Sequence, residues 1–326
     1  MTDEGIRSTN NDAAHCKRWC VERGYYHDPF IKHFVPHTTS KSPEISRGYY
    51  LRTQSVWLGV KNFFRSYGRK CQVINVGAGS DTLFWNLSAE GLQPERFVEL
   101  DFVQIVMKKI RVITKKNELL SVLKHDTVTR EGQQSHDDAR DSDKSSCHVT
   151  KTTINSPHYH LLSLDLRAED SLTDITATCQ LDTSLPTLVF AECVLCYLPP
   201  QSSHNLMSWT SRTFSNSVFL NYEPCNMDDR FGSIMVDNMR SRDCELPGIL
   251  ACPRVADQEA RFLAAGFSRG AALDMNEVMR LLPSEGVARM SKLEFFDELE
   301  ILTQLLEHYC LAWGSQGTCA GIVFSD

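Results

Sequence analysis

The sequence predicts an α/β fold in which helices cover both faces of a mostly parallel sheet. Short apolar runs typical of buried strands alternate with helical segments from residue 71 to residue 223, and this alternation indicates a parallel sheet. The first apolar run, CQVINVG, opens onto the turn Gly77-Ala78-Gly79, and acidic residues follow the strands. Because ligands of open α/β sheets bind outside the carboxyl ends of the strands, these features also predict where a site lies.

The segments before the first strand are predicted to be helical, apart from the start of the chain. Residues 1–12 are polar and lack periodicity, so we expect a loose, disordered tail, and the folded domain is expected to span residues 13–326. Residues 13–36 mix apolar and aromatic positions in the manner of short helices. The segment ISRGYYLRTQSVWLGVKNFFRSYG has apolar residues at helical spacing and predicts one long helix that stops at Gly68.

The alternating elements follow in a regular order. CQVINVG is the first strand, and SDTLFWNLSAEG is a helix with Ser80 or Asp81 as its N-cap. RFVELD is the second strand, and FVQIVMKKIRVITKKNELLSVL is a long helix. Three further strands are YHLLSLDL, which ends at Asp165, LPTLVFAEC, which ends at Glu192, and SVFLNYE. The helix QSSHNLMSWTSRTF separates the last two.

Residues 125–158 differ in composition from the rest of the chain. They hold few large apolar side chains and many charged or small polar ones. Such a segment cannot bury enough apolar surface to offset the entropy that ordering would cost. We therefore expect a disordered surface insertion before the third strand.

The C-terminal third is less regular. Residues of about 227–286 are expected to form a helical lid, with helices in RFGSIMVDNMRSR and VADQEARFLAAG. KLEFFDELEILTQLLEHY predicts a last long helix. The segments CLAW and AGIVFSD, joined by the turn at residues 314–317, are predicted to pair as a hairpin, which would complete a seven-stranded sheet with one reversed strand.

Composition excludes several classes of protein. The chain has 326 residues, of which 42% are hydrophobic, so it can bury a large core, and its formal net charge of −7 argues against a nucleic-acid surface. No run reaches the apolar length of a membrane span. The twelve scattered cysteines include one C-x-x-C, from Cys193 to Cys196, without the second pair that a zinc site needs. These features predict a reduced, cytoplasmic, soluble protein without a metal, and we expect a monomer.

Carboxylates are predicted at four places along the mouth of the sheet. Asp101 ends the second strand 24 residues after Gly77, where an acid can accept both ribose hydroxyls of a nucleoside. Asp165 and Glu192 end the third and fourth strands. Asp81 is better explained as an N-cap or turn former.

The glycine turn alone does not identify the ligand. A dinucleotide needs its pyrophosphate at the helix N-terminus and a small third residue, but Asp81 would repel a pyrophosphate and Thr82 replaces the third glycine. S-adenosylmethionine has no phosphate, and it requires hydrogen-bond acceptors for its ribose and a cation for its methionine carboxylate. The pattern therefore favours an enzyme that binds S-adenosylmethionine. The alternative hypotheses are an NAD-dependent dehydrogenase and a non-catalytic binding module.

The cation is expected from helices that precede the first strand and fold over the mouth of the sheet. The candidates are Lys17, Arg18, Arg47 and Arg52. A single basic residue on a helix more often lies on a solvated face. The arginine-aromatic cluster RGYYLR favours Arg47 and Arg52 over that explanation.

Several strings resemble the leucine carboxyl methyltransferases, which methylate the C-terminal leucine carboxylate of the type 2A protein phosphatase catalytic subunit. They are CKRW, GYYHDPF, PEISRGYYLRT, INVGAGSDTLFW, VELDF, LDLR, LVFAECVLCYL and NYEPCNMDDRFG. The resemblance implies a class I S-adenosylmethionine-dependent methyltransferase with a Rossmann-like sheet and an added lid. The cofactor-binding positions that it implies are Lys17, Arg52, Gly77, Asp101, Asp165, Leu166 and Glu192. A relative in transfer RNA wybutosine synthesis carries a long repeat domain behind the methyltransferase domain, whereas this chain ends soon after its last strand, which favours the phosphatase enzyme.

The implied reaction sets modest demands on catalysis. A peptide α-carboxylate, with a reference pKa of about 3.3–3.7, is already ionised at neutral pH and needs no general base. We expect Arg52 to orient carboxylate, either that of the cofactor, that of the substrate or both. Tyr197 would donate a hydrogen bond to the substrate carboxylate, although core packing explains this tyrosine equally well. NMDDRFGSIMVDNM could line a slot for the leucine side chain, although helix packing on the sheet explains the same apolar spacing.

Overall fold

The computed structural model describes residues 3–124, 147–168, 172–249 and 252–322. Its strands form one nine-stranded sheet. In chain order they are β1 (Gln72–Val76), β2 (Arg96–Asp101), β3 (His148–Val149), β4 (Thr153–Asn155), β5 (Tyr159–Ser163), β6 (Thr187–Glu192), β7 (Ser217–Pro224), β8 (Arg269–Asp274) and β9 (Tyr309–Gln316). The spatial order is β3-β4-β5-β2-β1-β6-β7-β9-β8.

The five predicted strands form the parallel centre of this sheet. β5, β2, β1, β6 and β7 are parallel neighbours, and β9 is antiparallel to both β7 and β8. The predicted seven-stranded sheet with one reversed strand is therefore present, with β3 and β4 added at one edge. The strand order reverses at β1, which lies between β2 and β6, and such a switch point opens a crevice at the strand ends.

The predicted C-terminal hairpin is wrong at its turn, and residues 323–326 of its second arm lie outside the described residues. Gly314 lies inside β9, whose partners are β7 and β8. A side chain at Gly314 would lie within 2.6 Å of the Phe262 ring, so this glycine allows close packing and does not form a turn. The strand β8 falls inside the segment that was predicted to be lid, so the lid prediction is wrong at residues 269–274.

The predicted disordered insertion is wrong for its C-terminal part, because residues 148–149 and 153–155 form β3 and β4. The hydroxyl of Thr150 accepts hydrogen bonds from the N–H groups of Thr152 and Thr153 in the turn between them, and Ile154 is fully buried. Tertiary contact therefore orders a segment whose composition is mostly polar. Residues 125–146 of the predicted insertion lie outside the described residues.

The helices surround the sheet. They are α1 (Glu4–Glu22), α2 (Ile31–Phe34), α3 (Pro43–Tyr67), α4 (Leu83–Ala89), α5 (Val103–Lys115), α6 (Asn117–Lys124), α7 (Ile175–Thr178), α8 (Pro200–Thr213), α9 (Arg230–Arg240), α10 (Val255–Ala264), α11 (Met275–Leu281), α12 (Ser284–Leu293) and α13 (Leu299–Glu307), with a 3-10 turn at Leu195–Tyr197. The long helix α3 agrees with the prediction. The predicted long helix that starts at residue 102 is divided into α5 and α6. The predicted last long helix, residues 292–309, is shortened to α13, because residues 294–298 are not helical.

The prediction of a disordered tail over residues 1–12 is wrong for its described part, because α1 begins at Glu4. Gly5 is buried against the chain at residues 242 and 243, where an added side chain would lie 2.2 Å from the Asp243 carbonyl oxygen. Asp12 forms an ion pair with Arg242. These tertiary contacts hold a segment that has little helical signal of its own, and they place α1 across the mouth of the sheet.

No helix within the described ranges is both long and apolar enough to cross a bilayer.

Candidate active site

A cavity of about 310 Å³ lies at the carboxyl ends of the central strands. Its floor is made by residues at the carboxyl ends of β1, β2, β5 and β6, including Gly77, Asp101 and Glu192. The helices α1 and α3 cover it, through Lys17 and Arg52 among others. The sheet therefore supplies the carboxylates of the site, and the preceding helices supply its cations.

The glycine turn after β1 lets the chain pass closely under the cavity. Gly77 has φ +69°, and an added side chain would lie 2.3 Å from a methyl group of Val194. Gly79 has φ +49°, and an added side chain would lie 2.5 Å from the Asn10 side-chain oxygen. Both positions combine a left-handed backbone with no room for a β-carbon, so other residues would be strained there.

Asp101 fixes the shape of this turn. Its carboxylate accepts the N–H of Gly79 at Oδ2 and the N–H of Phe102 at Oδ1, each at 2.6 Å. Burial raises the pKa of Asp101, although these two N–H groups act in the opposite direction. The carboxylate lines the cavity, and its remaining lone pairs can accept hydrogen bonds from a ligand.

Two cations meet one carboxylate on the opposite side of the turn. Lys17 Nζ lies 2.9 Å from Glu192 Oε1, and the Arg52 Nε donates to the same oxygen. The Arg52 Nη2 also donates to the backbone carbonyl of Glu192 at 3.4 Å. Lys17 further lies 3.4 Å from Asp81 Oδ2, while Asp81 Oδ1 accepts the Leu83 N–H at the start of α4. Asp81 therefore shapes the turn that leads into α4 and is also a partner of Lys17. The predicted N-cap, Ser80 or Asp81, is wrong, because the N-cap of α4 is Thr82.

These charges set the ionisation of the cluster. Burial would raise the pKa of Glu192, but Arg52 and Lys17 outweigh it and hold that pKa well below the usual range. Burial would lower the pKa of Lys17, but the carboxylates of Glu192 and Asp81 raise it. All three side chains are therefore charged at neutral pH, and the two cations can bind an additional carboxylate.

Aromatic rings enclose the Arg52 guanidinium. Its central carbon lies 5.2 Å from the centre of the Tyr49 ring and 5.1 Å from that of Tyr222. The Tyr222 ring stacks on Tyr309, with centres 5.4 Å apart. Cation–π contacts and ring stacking fix the plane of the guanidinium. A lysine ammonium has no such plane and could not be oriented by the rings in this way.

The predicted acid Asp165 lies beside the cavity and is held by Arg167. Arg167 Nε donates to Asp165 Oδ1 at 2.9 Å and Nη2 to Oδ2 at 2.7 Å. The same guanidinium pairs with Asp3, just before α1, at 2.7 and 3.0 Å. Arg167 thus joins the end of the third predicted strand to the start of α1.

The structure separates the predicted residues into two groups. The first group lines the cavity and consists of Lys17, Arg52, Gly77, Asp101, Leu166, Glu192 and Tyr197. Two of the four candidate cations lie elsewhere: Arg18 pairs with Glu22, and Arg47 donates to the carbonyls of Ser291 and Glu294. The two arginines of RGYYLR therefore lie on different sides of α3, and Arg52 is the one that lines the cavity.

Sequence reasoning missed the part that α1 plays. Asn10 accepts the Ser80 N–H at 2.7 Å, and Arg167 pairs with Asp3. Both Asn10 and Asp3 lie in the segment predicted to be a loose tail. The spacing of Ile6, Ala13 and Ala14, which line the cavity, was the available helical signal.

Arg167→Ala is expected to weaken the binding of S-adenosylhomocysteine about three- to tenfold. The substitution removes the ion pairs of Arg167 with Asp165 and with Asp3 at the start of α1. Because these ion pairs are partly exposed, solvent screens them, and the loss of affinity is limited. Isothermal titration calorimetry checks the value, with Arg65→Ala as the control because Arg65 is exposed at the far end of α3. Equal affinities of the two variants would contradict a contribution of Arg167 to the site.

Comparisons with known proteins agree with this geometry. The sequence profile described as leucine carboxyl methyltransferase matches residues 5–211. Leucine carboxyl methyltransferase 1 of Rattus norvegicus is 40% identical over 320 residues, which cover 97% of this chain and 91% of that protein. The tRNA wybutosine-synthesizing protein 4 of Homo sapiens is 32% identical over 319 residues, which cover 96% of this chain and 44% of that protein. Among solved structures, a DUF574 family protein from Streptomyces avermitilis has a TM-score of 0.51 at 12% identity, covering 93% of this chain and 97% of that one, and thus shares the fold.

Proposed function

The chain belongs to the leucine carboxyl methyltransferase family and is an S-adenosylmethionine-dependent carboxyl methyltransferase, and we propose that its acceptor is the C-terminal leucine α-carboxylate of the type 2A protein phosphatase catalytic subunit. One observation carries the choice of acceptor. The apolar side chains of Met235, Met239 and Leu246 line the same cavity as the Arg52 guanidinium. An acceptor that carries a carboxylate next to an apolar side chain would pair with the guanidinium and pack against these three side chains.

The cavity fits the cofactor by the chemistry of its groups. When bound, S-adenosylmethionine supplies an electrophilic methyl group on a sulfonium. The half-buried Asp101 carboxylate can accept hydrogen bonds from ribose hydroxyls, and Lys17 and Arg52 can pair with the methionine carboxylate. The Asp81 carboxylate, which accepts the N–H of Leu83 in the first turn of α4, takes the place that a dinucleotide pyrophosphate would need. The residues that we propose to hold the cofactor are Lys17, Arg52, Gly77, Asp101, Asp165, Leu166 and Glu192.

The protein's own contribution to the reaction is orientation and exclusion of water. The acceptor carboxylate needs no general base, since its reference pKa is about 3.3–3.7. In our proposal Arg52 orients this carboxylate, and Tyr197 donates a hydrogen bond to it. Burial raises the pKa of Tyr197 well above its usual range, so the hydroxyl keeps its proton. The helix α1 keeps bulk water from the cavity, which favours alignment of the reacting groups.

The lid of this proposal consists of α9 and the loop that follows it. Met235 and Met239 of α9 and Leu246 of the loop would receive the leucine side chain. The lid is narrower than the sequence predicted, because residues 269–274 belong to the sheet.

Methyl transfer to purified phosphatase, with and without its last leucine, tests the proposal. We expect radiolabelled methyl groups to enter intact phosphatase as a base-labile ester, and the truncated subunit to remain unlabelled. Transfer RNA that carries a wybutosine-type base with a free carboxylate and the free C-terminal peptide serve as further acceptors, and the peptide is expected to be a poor one. Equal labelling of the truncated phosphatase, or labelling of RNA, would contradict the proposed acceptor.

We also propose that the protein works as a monomer in the cytoplasm. All twelve cysteines lie in the described ranges, and each is a free thiol. Free thiols in such number are typical of a reducing compartment. Fractionation of cells and sedimentation of the purified protein would test the two statements separately.

A further inference from the structure

The helix α9 is held at both ends: Arg242, just after it, pairs with Asp12, and its first turn packs closely against the body of the protein. Of its eleven residues, Gly232 is the buried one, and Ile234 is 53% exposed. An added side chain at Gly232 would lie 2.5 Å from the Met227 Cα, so the helix touches the body closely at this point. Further along, Met235 and Met239 extend into the cavity wall. The position of these methionines therefore depends on how the first turn of α9 is held.

One carboxylate holds that first turn. Asp229 Oδ1 accepts the N–H of Gly232 at 2.8 Å, which caps the helix, and also lies 3.0 Å from His308 Nε2. The Phe231 ring covers the His308 ring, with centres 4.3 Å apart. The Gly232 N–H and His308 together keep the pKa of Asp229 below its usual range. We call the residues Asp229, Gly232 and His308 the α9 clamp.

His308 is itself fixed on its other side. Its Nδ1 lies 2.7 Å from the carbonyl oxygen of Gln304, in the last turn of α13, and its side chain is nearly fully buried. The two ring nitrogens of His308 therefore face two acceptors, the Gln304 carbonyl of α13 and the Asp229 carboxylate at the start of α9, and the side chain connects the two helices.

The clamp connects directly to the cavity. Tyr309 follows His308, lines the cavity, and donates from its hydroxyl to the Met235 sulfur at 3.9 Å. His308 is therefore adjacent to Tyr309 in the chain and reaches the helix of Met235 through Asp229. The strings NMDDRFG and LLEHY, which are far apart in sequence, meet here.

We propose that His308 is a positioning residue for the acceptor, acting through Asp229 to hold α9 so that Met235 and Met239 form one wall of the leucine slot. The inference rests on the proposed function, because it takes the α9 side of the cavity as the acceptor side. The cofactor side, at Asp101 and Lys17, is built on other elements. Loss of the clamp therefore changes acceptor binding and leaves cofactor binding intact.

Two variants test the clamp from opposite sides. His308→Phe keeps the ring packing on Phe231 but donates no hydrogen bond, and Asp229→Ala removes the exposed carboxylate that accepts both hydrogen bonds without disturbing the core. The control is Asp274→Ala, since Asp274 caps α11 with the same hydrogen bond to the third residue of its helix and does not line the cavity.

The first measurement is hydrogen exchange of the backbone amides of residues 230–240 in the enzyme without acceptor. We expect exchange in α9 to become about five- to tenfold faster in both clamp variants and to remain unchanged in the control. Unchanged exchange in both clamp variants would overturn the inference. This measurement needs no acceptor, so it stands even if the proposed function fails.

The second measurement separates positioning from stability. We expect both clamp variants to raise the KM for phosphatase about five- to tenfold, with kcat and the affinity for S-adenosylhomocysteine within about twofold of wild type. The double variant should be no worse than the worse single variant, because both act through one contact. A fall in thermal stability with an unchanged KM would overturn the inference. Failure of the wild-type enzyme to methylate phosphatase would instead refute the proposed function, and the exchange result would then decide the clamp.

Discussion

Arg52→Lys is expected to lower kcat/KM for methyl transfer by about ten- to a hundredfold, even though the charge is kept. In the wild-type protein the guanidinium donates to the Glu192 side chain and backbone and lies between the Tyr49 and Tyr222 rings. Lysine offers neither the planar fork nor the stacked face. Hydrogen bonds to charged groups contribute about 1.5–3 kcal/mol, which corresponds to the expected loss. Initial rates at saturating cofactor measure it.

Arg47→Lys is the matched control. Arg47 lies on the same helix, is buried, and stacks on the Phe296 ring at 4.9 Å, but it bonds backbone carbonyls away from the cavity. Its substitution should lower the melting temperature and leave kcat/KM of the folded enzyme unchanged. If both lysine variants lose activity in proportion to their stability, Arg52 has no specific part in orienting carboxylate.

The strand-end residues were accessible from the sequence because their placement follows from the sheet. β1, β2 and β6 pair in register, so Gly77, Asp101 and Glu192 must emerge at one edge whatever the details of packing. The choice of S-adenosylmethionine over a dinucleotide followed from the charge of Asp81. Membership of the methyltransferase family is consistent with that choice.

The contacts that close the site were not accessible in the same way. Asp3, Asn10 and Arg242 are polar residues in segments without strong periodicity, and they acquire meaning only when α1 lies across the sheet. Propensity and patterning describe how a segment behaves alone, whereas a helix in a folded protein is stabilised mainly by what it packs against. For the same reason composition failed at β4, where Ile154 is buried in an otherwise polar segment.

The orientation of RGYYLR shows the limit of motif reasoning within one helix. The motif predicted equally well that Arg47 or Arg52 would reach the mouth of the sheet. A separation of five residues turns a helix by about 500°, so the two side chains point in different directions. Only the position of α3 against the sheet decides which of them faces the cavity.

Asp101→Asn is expected to raise the dissociation constant of S-adenosylhomocysteine by about a hundredfold. An acid at the end of the second strand can accept from both ribose hydroxyls, and each such charge-assisted bond contributes about 1.5–3 kcal/mol. The variant has a second effect, because the carboxylate also accepts the N–H groups of Gly79 and Phe102. An amide side chain can accept one of these and presents its NH₂ to the other. Calorimetry measures the dissociation constant. The control is Asp182→Asn, because Asp182 lies in a loop away from the cavity, and its dissociation constant should equal that of wild type.

The two effects of Asp101 separate when the ligand is changed together with the protein. Wild-type enzyme should bind an analogue that lacks the 2′- and 3′-hydroxyls about a hundredfold more weakly than S-adenosylhomocysteine, because the charged acceptor is then left unpaired. In Asp101→Asn this discrimination should fall to about threefold, since the variant has already lost the charge-assisted bonds. If the carboxylate merely shapes the glycine turn through Gly79 and Phe102, both ligands lose affinity equally and the discrimination stays as in wild type. That result would leave the ribose without its proposed acceptor and would remove the main physical reason for placing a nucleoside at the end of β2.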